Sequence, residues 1–528
     1  MARPDPAVRY QAFLLRAQLA REALQAERPG LDVETDYVAD RSEDLRNAAR
    51  LYCGIVGEIG PRRAPNGRFP SPEAMEAALA DLTAPRFEGP TLPPLGLWGL
   101  SDAAFGWQRV AGPNPTAIQR VVVDRRPGLP LDHLPPLASL GGARLAEALD
   151  QGRLFAVDHS GLPRVAPEGP GPWLLPAAAL FYSHPEGGLR PLGVSLDGGP
   201  WVRPDDGAAW TRAKLAFQSA DLVDQELRRH LAWTHLLLRS VDRISERRLP
   251  PGHPIAWLLA PHLDSVTVNV LIGEQILLAE GGMVAQVLAP SLETSAHIWQ
   301  RALAAWTPEQ LDPARDLRER GCEDREALPF YPYRDHGLPI WEALRRTVGA
   351  SLALEPGGVA ATRAWVEALR EELGRWRTSS PIPDSPEALT GLVAGLIFLS
   401  SAHHSALSYP QAELYLAVSR APGSLAGDPR APLSPGELLP DLERFAAQVE
   451  AMWLLSCRRF RRLTELPTDP NREADRPFLH ERPALNAERG RFNAEMLRLD
   501  EALREGMEAQ PLPYDYLLPS RVSVAACI

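Results

Sequence analysis

The pattern of hydrophobic and polar residues along this chain is helical over most of its length. In long segments after Trp210, apolar residues recur every three or four positions, the spacing that places them on one face of an α-helix. The segments with this pattern span residues 207–246, 255–281, 338–351, 358–376, 386–408, 436–464 and 486–507. The pattern therefore predicts a mainly α-helical protein.

The first part of the chain carries two other patterns. Residues 7–26 and 41–58 also have helical periodicity, whereas residues 60–95 are rich in proline and glycine and are typical of a connector. Short apolar runs bounded by Gly, Pro and Asp follow this region, and they read RLFAVD, WLLPAAALFYS and RPLGVSL. Such runs are typical of strands. We therefore predict a small β element beside the helices and no second large domain.

The most apolar stretch of the chain runs from Leu389 to Ala402. It is shorter than the roughly 20 residues that cross a bilayer as a helix, so it predicts a buried core helix and no transmembrane segment. The N-terminal sequence MARPDPAVRYQAFLLRAQLAREALQAERPG has a charge every few residues and lacks the apolar core of a signal peptide. The expected location is therefore the cytoplasm.

Composition and charge narrow the choice of function. The hydrophobic share of 45% and the charged share of 23% are typical of a soluble globular protein. The formal net charge of −11 argues against a nucleic-acid-binding surface. The cysteines form no C-x-x-C pair and predict no disulfide framework; they are Cys53, Cys322, Cys457 and Cys527.

Two histidines five residues apart lie in an amphipathic helical segment, DLVDQELRRHLAWTHLLLRSV. His230 and His235 would point about 140° apart on a regular α-helix, too far apart to share a metal ion. A π-bulge adds one residue to a turn, and such bulges often occur at functional sites. The pair is therefore either unrelated or placed on a locally widened helix.

Other polar groups also fall in apolar surroundings. His403 and His404 end the most apolar helix of the chain, and Ser408 lies four residues after His404, on the same helix face. The sequence ends PYDYLLPSRVSVAACI, and if this apolar tail folds inward it carries the carboxylate of Ile528 into the core, where it needs a cation. Imidazoles, a hydroxyl and a carboxylate without a thiolate suit iron or manganese better than structural zinc.

Several motifs, in this order, resemble the catalytic domain of lipoxygenases from about Asp102 to Ile528. They are SDAAFGWQRVAGPNP, HLAWTH followed by HPIAWLLAPH, LPFYPYRDHGLPIWEAL, SSAHHSALSYPQ, YDYLLPSRV and the final isoleucine. The resemblance implies a large helical catalytic domain around a long central helix with a π-bulge. In this family a non-haem iron is held by three histidines, a weaker ligand four residues after the third, and a C-terminal isoleucine carboxylate.

The resemblance assigns roles to individual positions. The implied metal ligands are His230, His235, His404, Ser408 and Ile528, so the ligand position falls on His404 and not on His403. The π-widened ligand helix of the family would explain the five-residue spacing of the first pair.

Further positions match residues that surround the metal and the substrate in the family. Glu226 and Gln411 fall at polar positions that link the iron site to the fatty-acid pocket. The position that steers oxygen insertion falls on Gly273 in an ungapped alignment, and on Ile272 when Asn269 is aligned instead.

The sequence departs from the family pattern in two places. Asn is commoner where Ser408 stands, which predicts a weaker, longer or water-mediated bond to the metal. Residues 1–95 are too helical for the N-terminal β-sandwich of animal and plant members. We therefore predict an N-terminal helical extension with a Pro-rich connector (1–95) and a catalytic domain (96–528), as in the shorter bacterial lipoxygenases.

The resemblance implies a dioxygenase that inserts O2 into polyunsaturated fatty acids of the linoleate or arachidonate type, with a cis,cis-1,4-pentadiene, to give hydroperoxides. One non-haem iron per chain is the implied cofactor, with manganese as an alternative. A metal-bound hydroxide held by His230, His235 and His404 would remove the hydrogen atom. Peripheral contact with a membrane is compatible with such substrates. The alternatives are a hydroperoxide isomerase of lipoxygenase fold and a non-catalytic lipid-binding scaffold.

Overall fold

This protein combines many helices with one small antiparallel sheet. The computed structural model describes residues 5–27, 37–82, 99–122, 145–169, 171–185, 188–250, 252–354, 358–374, 376, 382–456, 461–507, 510 and 513–526. The α-helices span Pro6–Glu27, Tyr37–Gly54, Gly60–Arg63, Pro72–Leu82, Asp102–Ala111, Leu145–Asp150, Ala208–Asp224, Leu237–Arg248, Pro254–Leu263, Val266–Ile276, Met283–Val287, Leu292–Ala305, Pro313–Glu319, Pro332–Leu352, Arg363–Glu372, Pro386–Phe398, His404–Ser408, Gln411–Leu414, Leu442–Leu454 and Pro483–Met507. Segments of π-helix span Ile55–Ile59, Gln225–Leu236 and Leu399–His403. The prediction of a mainly α-helical fold is confirmed.

The longest continuous helix, residues 208–248, forms the central helix of the protein. Its middle is the π-helical segment Gln225–Leu236, and it is flanked by α-helix on both sides. At the end of this π segment the backbone N–H of Leu237 donates to the carbonyl of Ala232, five residues earlier. Residues 213–225 are all buried, as expected of a helix that lies in a core. The π segment has 12 residues, so it is longer than the single-turn bulge expected.

A second buried helix, residues 386–408, carries His404 and is called the His404 helix below. It begins after Ser385, whose hydroxyl accepts a hydrogen bond from the backbone N–H of Ala388, an N-cap that starts the helix. Its π segment, Leu399–His403, ends immediately before His404. Both histidine-bearing helices therefore widen at the histidines.

The His404 helix packs closely against Leu311, and two glycines of this helix provide a matched test. An added Cβ at Gly395 would lie 2.6 Å from Leu311 Cβ and 2.7 Å from its carbonyl oxygen, whereas nothing lies within 4 Å of the same position at Gly391. We expect Gly395→Ala to lower the free energy of unfolding by about 1–3 kcal/mol through overpacking. Gly391→Ala should raise it by about 0.5–1 kcal/mol, because alanine favours the helix. Denaturant unfolding measures both, and equal effects would contradict this packing.

The β element is a five-stranded antiparallel sheet in the order β1-β2-β3-β4-β5. The strands are β1 (Ile118–Arg120), β2 (Leu154–Asp158), β3 (Ala177–His184), β4 (Gly188–Leu196) and β5 (Trp201–Val202). The three apolar runs of the sequence correspond to β2, β3 and β4. Strands β1 and β5 were not predicted, because three and two residues are too few to show an alternating pattern. The predicted small β element is confirmed.

Some predicted helix boundaries were wrong. The segment 255–281 is divided at residues 264–265, where Ser265 has a left-handed backbone (φ 61°) that no regular helix accommodates. The segment 436–464 contains the α-helix Leu442–Leu454, which is shorter than predicted. The helix Leu292–Ala305 was not predicted.

The region predicted as a connector also contains helices. Within residues 60–95 the structure has Gly60–Arg63 and Pro72–Leu82, and residues 83–95 lie outside the described part of the chain. Met75, Ala78 and Leu79 are buried at helical spacing, a short periodicity that the surrounding prolines obscured. The domain boundary at residue 95 falls outside the described residues and stays a prediction.

The N-terminal helices pack onto the helices that surround the site. Pro6–Glu27 contacts Val266–Ile276, and Tyr37–Gly54 contacts Leu442–Leu454. Arg9 reinforces this packing, because its Nε donates to Oε1 of the buried Glu450 at 2.8 Å. The predicted N-terminal helices therefore lie directly on the core.

Two helical stretches, Pro254–Ile276 and Pro386–Leu414, are long and apolar enough to cross a membrane by length and composition. Within the protein, 67% and 78% of their most apolar windows are buried. Core helices of soluble proteins pass the same test, so these stretches are weak evidence for a membrane span. The apolar run at Leu389 does lie in a buried helix, as the sequence predicted, although that helix extends well beyond the run.

Candidate metal centre

The two histidine-bearing helices bring three imidazoles together. Nε2 of His230 lies 3.1 Å from Nε2 of His235 and 3.3 Å from Nε2 of His404. One ring nitrogen of each histidine lies within 4.8 Å of the others, and all three side chains are buried. The π-helical turn between His230 and His235 is what turns two side chains five residues apart toward one point.

These distances fit three ligands of one metal ion. Imidazole nitrogens bind such ions at about 2.1 Å, so two nitrogens on one ion at a right angle are about 3 Å apart. Burial lowers the pKa of His404 well below its usual value, and the neighbouring His235 and His230 lower it further. His404 is therefore neutral, the form that binds a metal. The donor set of nitrogens without a thiolate fits iron or manganese.

Two polar side chains lie beside the far side of His230. Nδ1 of His230 lies 3.3 Å from Oε2 of Glu226 and 3.3 Å from the side-chain amide nitrogen of Gln411. When Nε2 binds a metal, Nδ1 carries the hydrogen and Glu226 accepts it, which fixes the orientation of the ring. The structure thus places Glu226 and Gln411 beside His230, and their link to a fatty-acid pocket stays a prediction.

Ser408 and His403 have other partners. The hydroxyl of Ser408 donates to the carbonyl of Leu455 at 2.8 Å, so an oxygen lone pair is all that it can offer to a metal. His403 lies 2.8 Å from the hydroxyl of Tyr333 through its Nδ1, and burial lowers its pKa to about 4. His403 is therefore neutral and bonded outside the histidine cluster.

The C-terminal segment runs through the core beside the His404 helix. The backbone N–H of Ser523 donates to Ser405 Oγ, and that of Ala526 donates to Ser400 Oγ, both at 3.3 Å. Ala526 is completely buried. The predicted ligand Ile528 lies outside the described residues, so its role stays a prediction. The tail does run inward as far as Ala526.

His262, a residue that sequence reasoning did not single out, anchors the same tail. Its Nδ1–H donates to the carbonyl of Val524 at 2.7 Å, and its own carbonyl accepts from the hydroxyl of Ser400. Neither partner could be found from spacing, because they come from segments distant in sequence. The sequence signal that could have singled out His262 is its position at the end of an apolar helical segment.

The buried state of His262 predicts a loss of stability in acid. Burial lowers its pKa from 6.5 to about 4, although the hydrogen bond to Val524 opposes the shift. The unfolded chain then binds a proton before the folded one does, so its stabilisation is full above about pH 6.5 and declines as pH falls toward 4. Between pH 7 and pH 4 we expect the free energy of unfolding of His262→Gln to fall by about 3 kcal/mol less than that of the parent protein. Denaturant unfolding from pH 4 to 7 compares the two proteins, and parallel curves would contradict the assignment.

A buried charge network supports the start of the π segment. Asp224 forms an ion pair with Arg228 Nη1 at 2.6 Å and accepts a hydrogen bond from Arg229 Nε at 2.9 Å. Although burial would raise the pKa of Asp224, the charges of Arg229, His159 and Arg228 lower it, so Asp224 is ionised. Asn114, from the first motif, donates to Asp224 at 3.2 Å. Through Asn114 the motif GPNP, which is distant from the histidines in sequence, contacts the residue just before the π segment.

An apolar cavity of about 1070 Å³, its open mouth included, adjoins the histidines. Its described charged lining residues are Glu226 and Glu274, and it contains no described cationic side chain. Ile272 and Gly273 both line it. The other lining residues are Leu45, Leu227, His230, Leu231, His235, Asn269, Val270, Ile276, Leu277, Leu278, Met283, Val284, Val287, Leu288, Ala451, Met452, Leu454 and Leu455. The structure thus joins the predicted steering positions to the metal cluster.

Part of this lining was not foreseen. Residues 272–278 contribute to the lining, whereas residues 389–399, in the most apolar helix, do not. Leu45, Met283 and Ala451 come from helices whose apolar residues look like ordinary core in sequence. No sequence signal separates a cavity wall from a packed core in these helices.

Comparison with known proteins places the chain in a family. The family model described as Lipoxygenase matches residues 86–424, more than half of the chain. The Linoleate 9/13-lipoxygenase of Pseudomonas aeruginosa is 28% identical over 474 residues, which cover 81% of this chain and 66% of that protein. The Polyunsaturated fatty acid lipoxygenase ALOX15B of Homo sapiens is 29% identical over 456 residues, which cover 81% and 65%.

Another relative carries a different activity in its name. The Hydroperoxide isomerase ALOXE3 of Mus musculus is 26% identical over 456 residues, which cover 81% of this chain and 62% of that protein. The chain thus spans less than two thirds of the length of each of these relatives. Among solved structures, an anaerobic crystal structure of a delta413-417:GS LOX in complex with arachidonate superposes with a TM-score of 0.78, at 23% identity, over 93% of this chain and 74% of that one. The match to the family model, over a helical fold of this kind, shows that the chain belongs to the lipoxygenase family.

Proposed function

We propose that this protein is a dioxygenase that inserts O2 into polyunsaturated fatty acids with a cis,cis-1,4-pentadiene and releases fatty-acid hydroperoxides. The observation that carries the proposal is the apolar cavity whose lining includes His230 and His235, two members of the buried histidine cluster. Family membership supports fatty-acid dioxygenation as the general activity. Linoleate is named in the bacterial relative and arachidonate in the solved structure.

In this proposal His230, His235 and His404 hold one non-haem iron, with Ser408 and the carboxylate of Ile528 completing the ligand set. The bound iron would supply the one-electron oxidation that removes a hydrogen atom from the diene. Glu226 accepts the Nδ1 hydrogen of His230 and so keeps Nε2 directed at the ion. The apolar walls exclude water and hold one carbon of the chain near the cluster.

Incubation with linoleate under air tests the proposal. We expect conjugated-diene absorbance to rise together with oxygen consumption, and the products to be hydroperoxides. Metal analysis of the same preparation should give about one iron ion per chain, and electron paramagnetic resonance distinguishes iron from manganese. A protein that binds neither metal and leaves linoleate unchanged would favour the non-catalytic lipid-binding scaffold and end the proposal.

A second candidate is a hydroperoxide isomerase, because a relative of similar identity bears that name. The two activities differ in their use of oxygen. A dioxygenase consumes O2 with the fatty acid as substrate, whereas an isomerase rearranges an added fatty-acid hydroperoxide without oxygen uptake. Conversion of the hydroperoxide without oxygen uptake, and no reaction with linoleate, would favour the isomerase.

Two substitutions at the cavity wall, each of which changes one methyl group, distinguish the two candidate steering positions. A Cβ added at Gly273 would meet only Leu277 Cδ1, at 3.8 Å, so Gly273→Ala should fold normally. If Gly273 is the position that steers oxygen, this variant changes the ratio of positional or R and S products. Chiral chromatography of the products measures it, and the control is Ile272→Val, which removes one methyl group from the other candidate. A ratio that changes only in Ile272→Val would move the assignment to Ile272.

A further inference from the structure

A second cavity lies against the central helix, and it is called the outer groove below. Its volume is about 1620 Å³, its open mouth included. The described lining residues are Gly161, Leu162, Pro163, Arg228, Trp233, Thr294, His297, Ile298, Gln300, Arg301, Ala302, Ala304 and Ala305. None of them lines the cavity at the histidine cluster. The outer groove is therefore separate from the site assigned above.

The ionisable residues of the outer groove are all basic. Arg228, His297 and Arg301 line it, and no described acidic residue does, but Arg228 is already paired with Asp224. His297 and Arg301 are exposed and lie four residues apart on the helix Leu292–Ala305, so they share a face. Arg301 forms no ion pair with any described residue. In a chain with a net charge of −11, such a groove is locally complementary to an anion.

The floor of the outer groove is apolar. Leu162, Ile298 and Ala302 are buried at its base, at 8% exposure or less. The indole of Trp233 adds an aromatic surface, and its Nε1 is already bonded to the carbonyl of Ala302 at 2.9 Å. A basic rim above an apolar floor matches a molecule with one anionic group on a hydrocarbon chain.

We infer that the outer groove binds a long-chain carboxylate, with its carboxylate on Arg301 and its chain on the apolar floor. Arg301 suits this role because its guanidinium donates to a carboxylate through two parallel hydrogen bonds. The inference goes beyond the proposed function, since binding there requires neither a metal nor turnover. The groove also contacts the π segment directly, through Arg228 and Trp233, on either side of His230 in sequence.

Photolabelling of the protein tests the inference. The probe is a saturated fatty acid with a diazirine on its chain, which cannot be oxidised at a diene. After irradiation, mass spectrometry should find label in peptides from 294–305 as well as in peptides from 266–288, which line the catalytic cavity. Excess palmitate should suppress the label in 294–305, whereas methyl palmitate and inorganic phosphate should not.

Charge reversal at the rim provides the matched comparison. We expect Arg301→Glu to lower the label in 294–305 by about tenfold or more, the loss expected for a charged hydrogen bond. The label in 266–288 should be unchanged. Arg498→Glu is the control, because Arg498 is also exposed on a helix but lies outside the groove. Thermal unfolding of both variants should match the parent protein.

Each other outcome overturns a stated part of the inference. Undiminished labelling of 294–305 in Arg301→Glu, or no label there in the parent, would remove the site. Equal competition by methyl palmitate would exclude recognition of the carboxylate, and competition by phosphate would indicate a simple anion site. Label in 294–305 without label in 266–288 would count against the proposed function and leave the outer groove in place.

Discussion

Replacing His404 with alanine is expected to remove most of the bound metal and, with it, the conversion of linoleate to conjugated-diene products. The imidazole of His404 lies 3.3 Å from that of His230 and is completely buried, so no solvent-exposed group can take its place. Loss of a residue that merely supports a ligand already lowers metal affinity about 10–100-fold. Loss of the ligand itself should therefore lower it at least about 100-fold. Metal analysis and diene absorbance measure the two effects.

His403→Gln is the matched control for this prediction. His403 is adjacent in sequence and is the last residue of the π segment, but its ring nitrogen is bonded to the hydroxyl of Tyr333. Glutamine can keep a hydrogen bond to Tyr333, so metal content should remain near that of the parent protein. A reversed result, with metal lost from His403→Gln and kept in His404→Ala, would exchange the two residues in the ligand set.

Deleting Ile528 is expected to lower metal content at least about tenfold, by moving the last carboxylate of the chain. The tail is fixed up to Ala526 by the hydrogen bond from its N–H to Ser400. Removing one residue leaves a carboxylate on Cys527, about 3.5 Å short of its former place, which exceeds the length of a metal–oxygen bond. Metal analysis of the purified variant measures the loss.

Ile528→Val is the control, because it changes the side chain but keeps the carboxylate at the same backbone position. Its metal content should stay close to that of the parent protein. Full metal occupancy in the deletion variant would remove Ile528 from the ligand set and leave the three histidines as the site.

The parts of the site that could be predicted from sequence are those with a local signature. The five-residue spacing of His230 and His235 required either a widened helix or no shared role, and the structure has a π-helix there. Spacing alone did not distinguish His404 from His403, and only the resemblance did so. Helices with strong periodicity were predicted, whereas the two short edge strands were not.

The parts that could not be predicted depend on contacts between distant segments. Ser400 and His262 join the C-terminal tail to two helices, and the sequence pattern of neither helix predicts a contact with the tail. The outer groove was missed for the same reason, since Arg301 lies on a helix that was not predicted and Leu162 lies in a loop. Such features follow from packing, which periodicity does not encode.

The interior course of residues 522–526 has a consequence for biosynthesis. Because this stretch is bonded to Ser400, Ser405 and His262 inside the core, the walls around the histidines cannot close before it has been translated. Chains emerge from the ribosome at about 5–20 residues per second, and earlier segments fold first. We therefore expect a ribosome-tethered chain to lack the closed histidine site until it is released.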